Sequence, residues 1–173
     1  AIATGGGVVS PTSATTDAAG RAAARWTLGP LAGGNSLIAT SSGFSVTFQA
    51  TGNSAAASTL LSNSATSQNG TAGLPAGAPP SVRVTDANGN PVAGVSITFA
   101  VSGGGGSILP VTPIATNASG IATLTQWVLG TVAGANTVTA SAAGLTPSQL
   151  TFTATGAAGA AAALQVQTQP STS

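Results

Sequence analysis

The feature that most constrains this chain is that it repeats itself. Trp26-Thr-Leu-Gly29-Pro-Leu-Ala-Gly33-Gly-Asn35 matches Trp127-Val-Leu-Gly130-Thr-Val-Ala-Gly134-Ala-Asn136 at an offset of 101 residues. The register holds as far as Gly43 and Gly144. Upstream, Asp17-Ala-Ala-Gly20 matches Asn117-Ala-Ser-Gly120 at an offset of 100. Downstream, Phe48-Gln-Ala-Thr-Gly52 matches Phe152-Thr-Ala-Thr-Gly156 at an offset of 104. A drift this small means short insertions in turns or bulges. A period near 100 residues is a whole domain rather than one unit of a solenoid. Residues 1–52 match only the second half of the repeat, and residues 53–156 form one full copy. Residues 157–173 are Ala-rich and then run Leu164-Gln-Val166-Gln-Thr168, which reads as a linker and the opening strand of a further copy. The 173 residues thus read as a window on a tandem array, cut inside a domain at each end. The chain begins without Met or a signal-peptide pattern, which predicts a processed product or a fragment.

The local pattern has period two. Val82 and Val84 alternate with Ser81, Arg83 and Thr85. Val95, Ile97, Phe99 and Val101 alternate with Ser96, Thr98 and Ala100. Val138 and Ala140 alternate with Thr137, Thr139 and Ser141. Leu150, Phe152 and Ala154 alternate with Thr151, Thr153 and Thr155. Phe44, Val46, Phe48 and Ala50 repeat the pattern in the half copy. Such alternation, rich in β-branched residues, marks strands with one face buried. Asp86-Ala-Asn88-Gly89-Asn90-Pro91, Asn117-Ala-Ser-Gly120 and Gly134-Ala-Asn136 carry turn residues that tolerate positive φ. About seven short strands in a hundred residues predict an all-β, antiparallel sandwich. Ala157–Ala163 is short, contains Gly159 and lies at a domain junction, so an extended linker is favoured over a helix.

Composition narrows the chemistry. Only Arg21, Arg25, Arg83, Asp17 and Asp86 are charged, 3% of the chain against about 25% in ordinary globular proteins. There is no Lys, Glu, His, Cys, Met or Tyr. Zinc, haem, iron–sulfur and copper sites lose their usual ligands. No thiol is present, and no imidazole can activate a hydroxyl. Asp17 and Asp86 are the only carboxylate side chains, and a paired-carboxylate hydrolase would need those two together. The reading is therefore a protein without enzyme activity and without a cofactor. A net charge of +1 makes no basic patch for nucleic acid. At 42% hydrophobic with mean hydropathy +0.40 the chain is too apolar for disorder. No apolar run approaches the ~20 residues of a membrane span.

The run Val84-Thr-Asp-Ala-Asn-Gly-Asn-Pro-Val-Ala-Gly-Val-Ser-Ile-Thr-Phe99 is followed by Gly120-Ile-Ala-Thr-Leu-Thr-Gln-Trp-Val-Leu-Gly130 and Ala133-Gly-Ala-Asn-Thr-Val-Thr-Ala140. Together they resemble the group 1 bacterial immunoglobulin-like domain, the repeat of invasin- and intimin-type surface proteins. The resemblance covers 53–156 fully and the flanks in part. It implies an immunoglobulin-like sandwich repeated in tandem, outside the cell or on its surface. This module occurs in adhesin stalks, secreted filaments and some phage virions.

Several residues compete for functional roles. Asp86, Asn88 and Asn90 resemble the start of a calcium loop, but one carboxylate without a Glu falls short of such a site, and a hairpin turn is the favoured reading. Gly103–Gly106 has neither the Lys nor the helix of a phosphate loop and reads as a flexible strand-end loop. Trp26 and Trp127 could stack on sugars. With Phe99 and Phe152 they read instead as structural anchors of the core or the domain junction. Arg21 and Arg25 read as sharing one strand near Asp17, as a surface ion pair worth ~0–1 kcal/mol or as an inter-subunit contact. Asn69-Gly-Thr71 and Asn117-Ala-Ser119 are sequons in form only.

The missing charge carries one more expectation. Sandwiches guard their edge strands with Lys, Pro or inward charge, and low net charge promotes association. The chain is therefore expected to be a structural subunit of an extracellular bacterial filament or surface fibre. Its partners would be copies of itself or neighbouring repeats, joined in one version by strand donation. The alternatives are a rigid stalk segment of a long adhesin and a phage decoration domain. Any host or surface ligand would be met by regions outside this sequence.

Overall fold

In the computed structural model, which describes residues 1–161, the chain runs through fifteen short strands. The first five are β1 (Ile2–Thr4), β2 (Gly7–Ser10), β3 (Arg25–Leu28), β4 (Gly33–Ser41) and β5 (Phe44–Gly52). The next five are β6 (Thr59–Ser62), β7 (Ser67–Thr71), β8 (Ser81–Thr85), β9 (Ser96–Gly103) and β10 (Ser107–Leu109). The last five are β11 (Ile114–Ala115), β12 (Ile121–Thr123), β13 (Gln126–Val128), β14 (Gly134–Ser141) and β15 (Gln149–Ala157). Among the described residues there is no helix.

Strands β6–β15 make the full sandwich. One sheet has the order β11-β9-β14-β15-β7 and the other β12-β8-β6, while β10 and β13 form a two-stranded ribbon. The alternation along the strands decides what lies between the sheets. Val82, Val84, Ile97, Val138 and Ala140 are fully buried, with Phe99, Phe152, Ala154, Leu60, Trp127 and Leu129 beside them. Each strand thus contributes every second residue to one core.

The strand ladders are antiparallel except at one edge, where β7 runs parallel to β15 from Ser67↔Thr153 to Thr71↔Ala157; the isolated bridge Thr59↔Thr146 is parallel too. The chain enters on β6 in one sheet and crosses over to the other before β7. A strand that changes sheets this way closes the corner of a sandwich. Ten short segments stand where the sequence predicts about seven strands. Gly103–Gly106, all but the first at positive φ, and Pro110 interrupt the ladders and divide longer strands. Gly134-Ala-Asn136, expected as a turn, is the start of β14, because Gly134 pairs with Gly156 and Asn136 with Ala154.

Residues 1–52 rebuild the second half of this sandwich. β1 pairs with β4 as the end of β9 pairs with β14, and both pairs carry a register shift at the equivalent place. β2 pairs Val9 with Trp26 on β3, as β10 pairs Ile108 with Trp127 on β13. Residues 1–52 contain no counterparts of β6–β8, so no covering sheet lies over this face among the described residues. Phe152 is 1% exposed, whereas its counterpart Phe48 is 51% exposed, and Phe44 and Val46 are open beside it.

The absent sheet also corrects one expectation. Arg21 and Arg25 do not share a strand: β3 starts at Arg25, and Arg21 lies in the preceding irregular segment. In the full copy Ile121 is held in β12 by pairing with Arg83 of β8. Residue 21 has no such partner strand among the described residues. Residues 164–168, expected as an opening strand, lie outside the described residues. Of the expected linker 157–163, Ala157 closes β15.

Candidate functional site at the domain junction

Three turns in this chain have the same build, and only one of them reaches a neighbouring domain. At Asp17 the carboxylate Oδ1 accepts the backbone amides of Ala19 and Arg21, each at 2.9 Å. At Asn117 the side-chain Oδ1 accepts those of Ser119 and Ile121, at 2.9 and 3.0 Å. At Asp86 Oδ1 accepts those of Asn88 and Asn90, each at 2.9 Å. Short polar side chains that bond their own backbone two residues on are the usual makers of such turns. The residue four places on differs: Arg21, Ile121 and Asn90.

Asn90 makes the difference. Its Nδ2 donates to the carbonyl of Pro30 at 2.9 Å and to Asp86 Oδ2 at 2.8 Å. Its Oδ1 accepts the backbone amide of Ala32 at 2.8 Å. The side-chain amide therefore binds the loop between β3 and β4 as one rung of a β-ladder would, with a donor and an acceptor side by side. Asp86 Oδ2 also accepts the amide of Ala55, in the segment that joins β5 to β6. The turn thus fastens both the loop 30–32 and the connecting segment to the full sandwich. Asp86 and Asn90 are both buried.

The electrostatics follow from the same bonds. The side-chain amide of Asn90 and the backbone amides of Ala55, Asn90 and Asn88 hold the Asp86 carboxyl below its ordinary value of 3.8, at about 2, against an opposing push from burial. Both carboxylate oxygens and the Asn90 oxygen face N–H donors. The oxygens of Asp86 and Asn90 are thus taken up by amides, while Asn88 enters the turn through its backbone amide and its side chain is exposed. Among the described residues no group of three or more His, Cys, Asp or Glu converges.

Residues 78–155 match the family profile of the bacterial Ig-like domain (group 1). Over that stretch the chain is similar to the group 1 bacterial Ig-like domain. Of the solved structures, the Escherichia coli adhesin FdeC aligns over 92% of this chain and 51% of its own, at 18% identity and a TM-score of 0.61. The Yersinia pseudotuberculosis adhesin InvE aligns over 87% and 46%, at 20% identity and 0.43. Invasin, described as a bacterial integrin-binding protein, aligns over 83% and 28%, at 22% identity and 0.44. The chain spans about half the length of the FdeC and InvE chains and less of invasin. The likeness to FdeC is one of fold. No match emerges among curated proteins.

In the Ig-like domain Trp127 is 1% exposed and belongs to the core with Phe99 and Phe152. Trp26, its counterpart, is half-buried. Arg21 and Arg25 are exposed, and Asp17 spends its carboxylate on backbone amides rather than on either guanidinium. Sequence reasoning finds the Asp86 turn but misses Asn90 as a bond between domains. The available signal is that, of the three turns, only this one has a side-chain amide at its fifth position.

Proposed function

We propose that this chain is a non-enzymatic structural segment of an extracellular bacterial surface fibre, in which Ig-like domains stand end to end at a fixed angle. The observation that carries this reading is the Asn90 bridge to Pro30 and Ala32, supported by Asp86 and its hold on Ala55. A flexible tether needs no buried polar clasp between its domains. A segment that must keep its direction does, because interfaces between domains otherwise allow relative motion. The family supports a structural role at the cell surface. In this reading any ligand is bound elsewhere on the fibre.

A second reading has a specific observation in its favour. The inner face of residues 1–52 exposes Phe44, Val46 and Phe48, and the chain has almost no charge to keep such faces apart. In a filament, strands from a neighbouring subunit would cover that face and extend the β5 edge, as in strand-addition assemblies. Electron microscopy of the native material separates the two. Regular filaments with repeated contacts between chains support polymerisation. Single rods of stacked domains support a stalk. Freely jointed beads would sink the fixed-angle reading.

A further inference from the structure

The loop that receives Asn90 has a twin at the far end of the full domain. Gly29-Pro-Leu-Ala-Gly33 corresponds to Gly130-Thr-Val-Ala-Gly134. The two loops share a pin at one end, and at the other end they differ, since Asn35 Oδ1 has no hydrogen-bond partner among the described residues. Asn35 Nδ2 donates to the carbonyl of Gly33, and Asn136 Nδ2 donates to that of Gly134, each at 3.1 Å. Asn136 also accepts the amide of Gly130 at 2.8 Å, so the second loop is tied at both ends. Asn90 hydrogen-bonds main-chain atoms of the first loop, Pro30 O and Ala32 N. Exchanging Pro30 for Thr131 and Leu31 for Val132 therefore leaves the recognition atoms in place, as Thr131 O and Ala133 N. Among the described residues no hydrogen bond reaches either atom. The loop is open to solvent, with Val132 at 77% exposure and its counterpart Leu31 at 58%.

We propose that loop 130–134 is a docking surface for a following Ig-like domain that presents an Asp-x-Asn-Gly-Asn turn. The last Asn of that turn would bridge Thr131 O and Ala133 N as Asn90 bridges Pro30 O and Ala32 N. The occupant is argued from the molecule itself, which holds the filled version of this joint one repeat earlier. A neutral amide suits the surface, since it offers a donor and an acceptor together and needs no ion pair. Recognition through main-chain atoms also lets successive loops vary in side chain while keeping one joint. The inference rests on the end-to-end reading above and adds its partner.

The test is the full chain with residues 53–156 duplicated in tandem, so that loop 130–134 of the first unit meets Asn90 of the second. Segmental isotope labelling follows the Ala133 amide of each unit by hydrogen exchange. The expected result is exchange about tenfold slower at Ala133 of the first unit than of the second, the worth of one net hydrogen bond. Asn90→Ala placed only in the second unit should abolish that difference. Equal exchange at both Ala133 amides, with Ala32 still protected by Asn90 of the first unit, overturns the inference and leaves the end-to-end reading standing. If Ala32 is unprotected as well, both fail.

Discussion

Asn90 Nδ2 lies 2.8 Å from Asp86 Oδ2, and through that bond the one buried carboxylate of the chain orients the one side chain that, among the described residues, hydrogen-bonds across the domain junction. The pair makes acid sensitivity a property of the joint. Asp86 has its pKa lowered from 3.8 to about 2, first by the Asn90 side chain and then by backbone amides. A carboxyl depressed on folding adds stability that is complete above its unfolded pKa and lost as pH falls through the folded value. Stability should be flat from about pH 5 to neutrality and fall between about pH 4 and pH 2. Thermal melts across that range check it. Asp86→Asn should flatten the acid limb and lower Tm at neutral pH, since one carboxylate oxygen becomes a donor facing donors. A steep change between pH 5 and 7 would contradict this account, because no His, Glu or Cys is present to cause it.

Asn90→Ala should loosen the joint more than it weakens the domain. It removes the bonds to Pro30 and Ala32 but leaves Asp86 its backbone partners Ala55, Asn88 and Asn90. The Ala32 amide should exchange faster, and small-angle scattering should report a broader spread of end-to-end distances. Asn90→Asp should do worse, as a second carboxylate would face Asp86 and the Pro30 carbonyl. An unchanged Ala32 exchange rate in Asn90→Ala would show that the clasp does not form in solution.

The alternating strands were legible in the sequence because period two decides which side chains meet in the core. Val82, Val84, Ile97, Phe99, Val138 and Phe152 all follow that rule. β7 was not legible. Its sequence Ser67-Gln-Asn-Gly-Thr71 has no apolar alternation, and it is a strand because β15 offers a free edge. Gly70 marks the spot, since a Cβ there would lie 2.8 Å from Leu129 Cδ1. The half copy shows the converse. Phe44, Val46 and Phe48 have the pattern of an inner face, but burial needs a second sheet, and pattern alone does not supply one. The clasp was half legible: the Asp86 turn is local, while its hold on Pro30 spans 60 residues.

Trp127 and Trp26 should separate in their energetics. Trp127→Ala empties a buried site and should cost about 3–5 kcal/mol. Trp26→Ala should cost about half as much, since Trp26 is only half-buried. Trp127 Nε1 has no hydrogen-bond partner among the described residues, so Trp127→Phe loses packing but also sheds an unpaired buried N–H, and should cost only about 1–2 kcal/mol. Urea melts followed by circular dichroism give the three values. In single-tryptophan variants, emission from Trp127 should be the bluer and the less quenched by acrylamide. The reverse order would place the core elsewhere.

Gly130 and its counterpart Gly29 are close-approach positions of the two ribbons. A Cβ on Gly130 would run into the carbonyl of Gly104, and one on Gly29 into that of Gly5. Gly130→Ala should therefore push the loop 104–106 away from β13 and lower Tm, whereas Gly134→Ala meets no atom and is limited by its positive φ. Chemical shifts of residues 104–106 should move in the first variant and stay in the second.

The open face of residues 1–52 gives the sharpest test of polymerisation. Phe48 is half exposed where Phe152 is sealed, so Phe48→Ser removes apolar surface without opening a core. Exposed apolar patches of this kind mark association surfaces. If neighbouring subunits cover the face, Phe48→Ser should abolish concentration-dependent growth of the sedimentation coefficient while the melt of residues 53–156 stays unchanged. Phe152→Ser should instead unfold that sandwich. Growth that survives Phe48→Ser would place the contact between chains on another surface. The end-to-end joint at Asn90 would then be the better account of how these domains build a fibre.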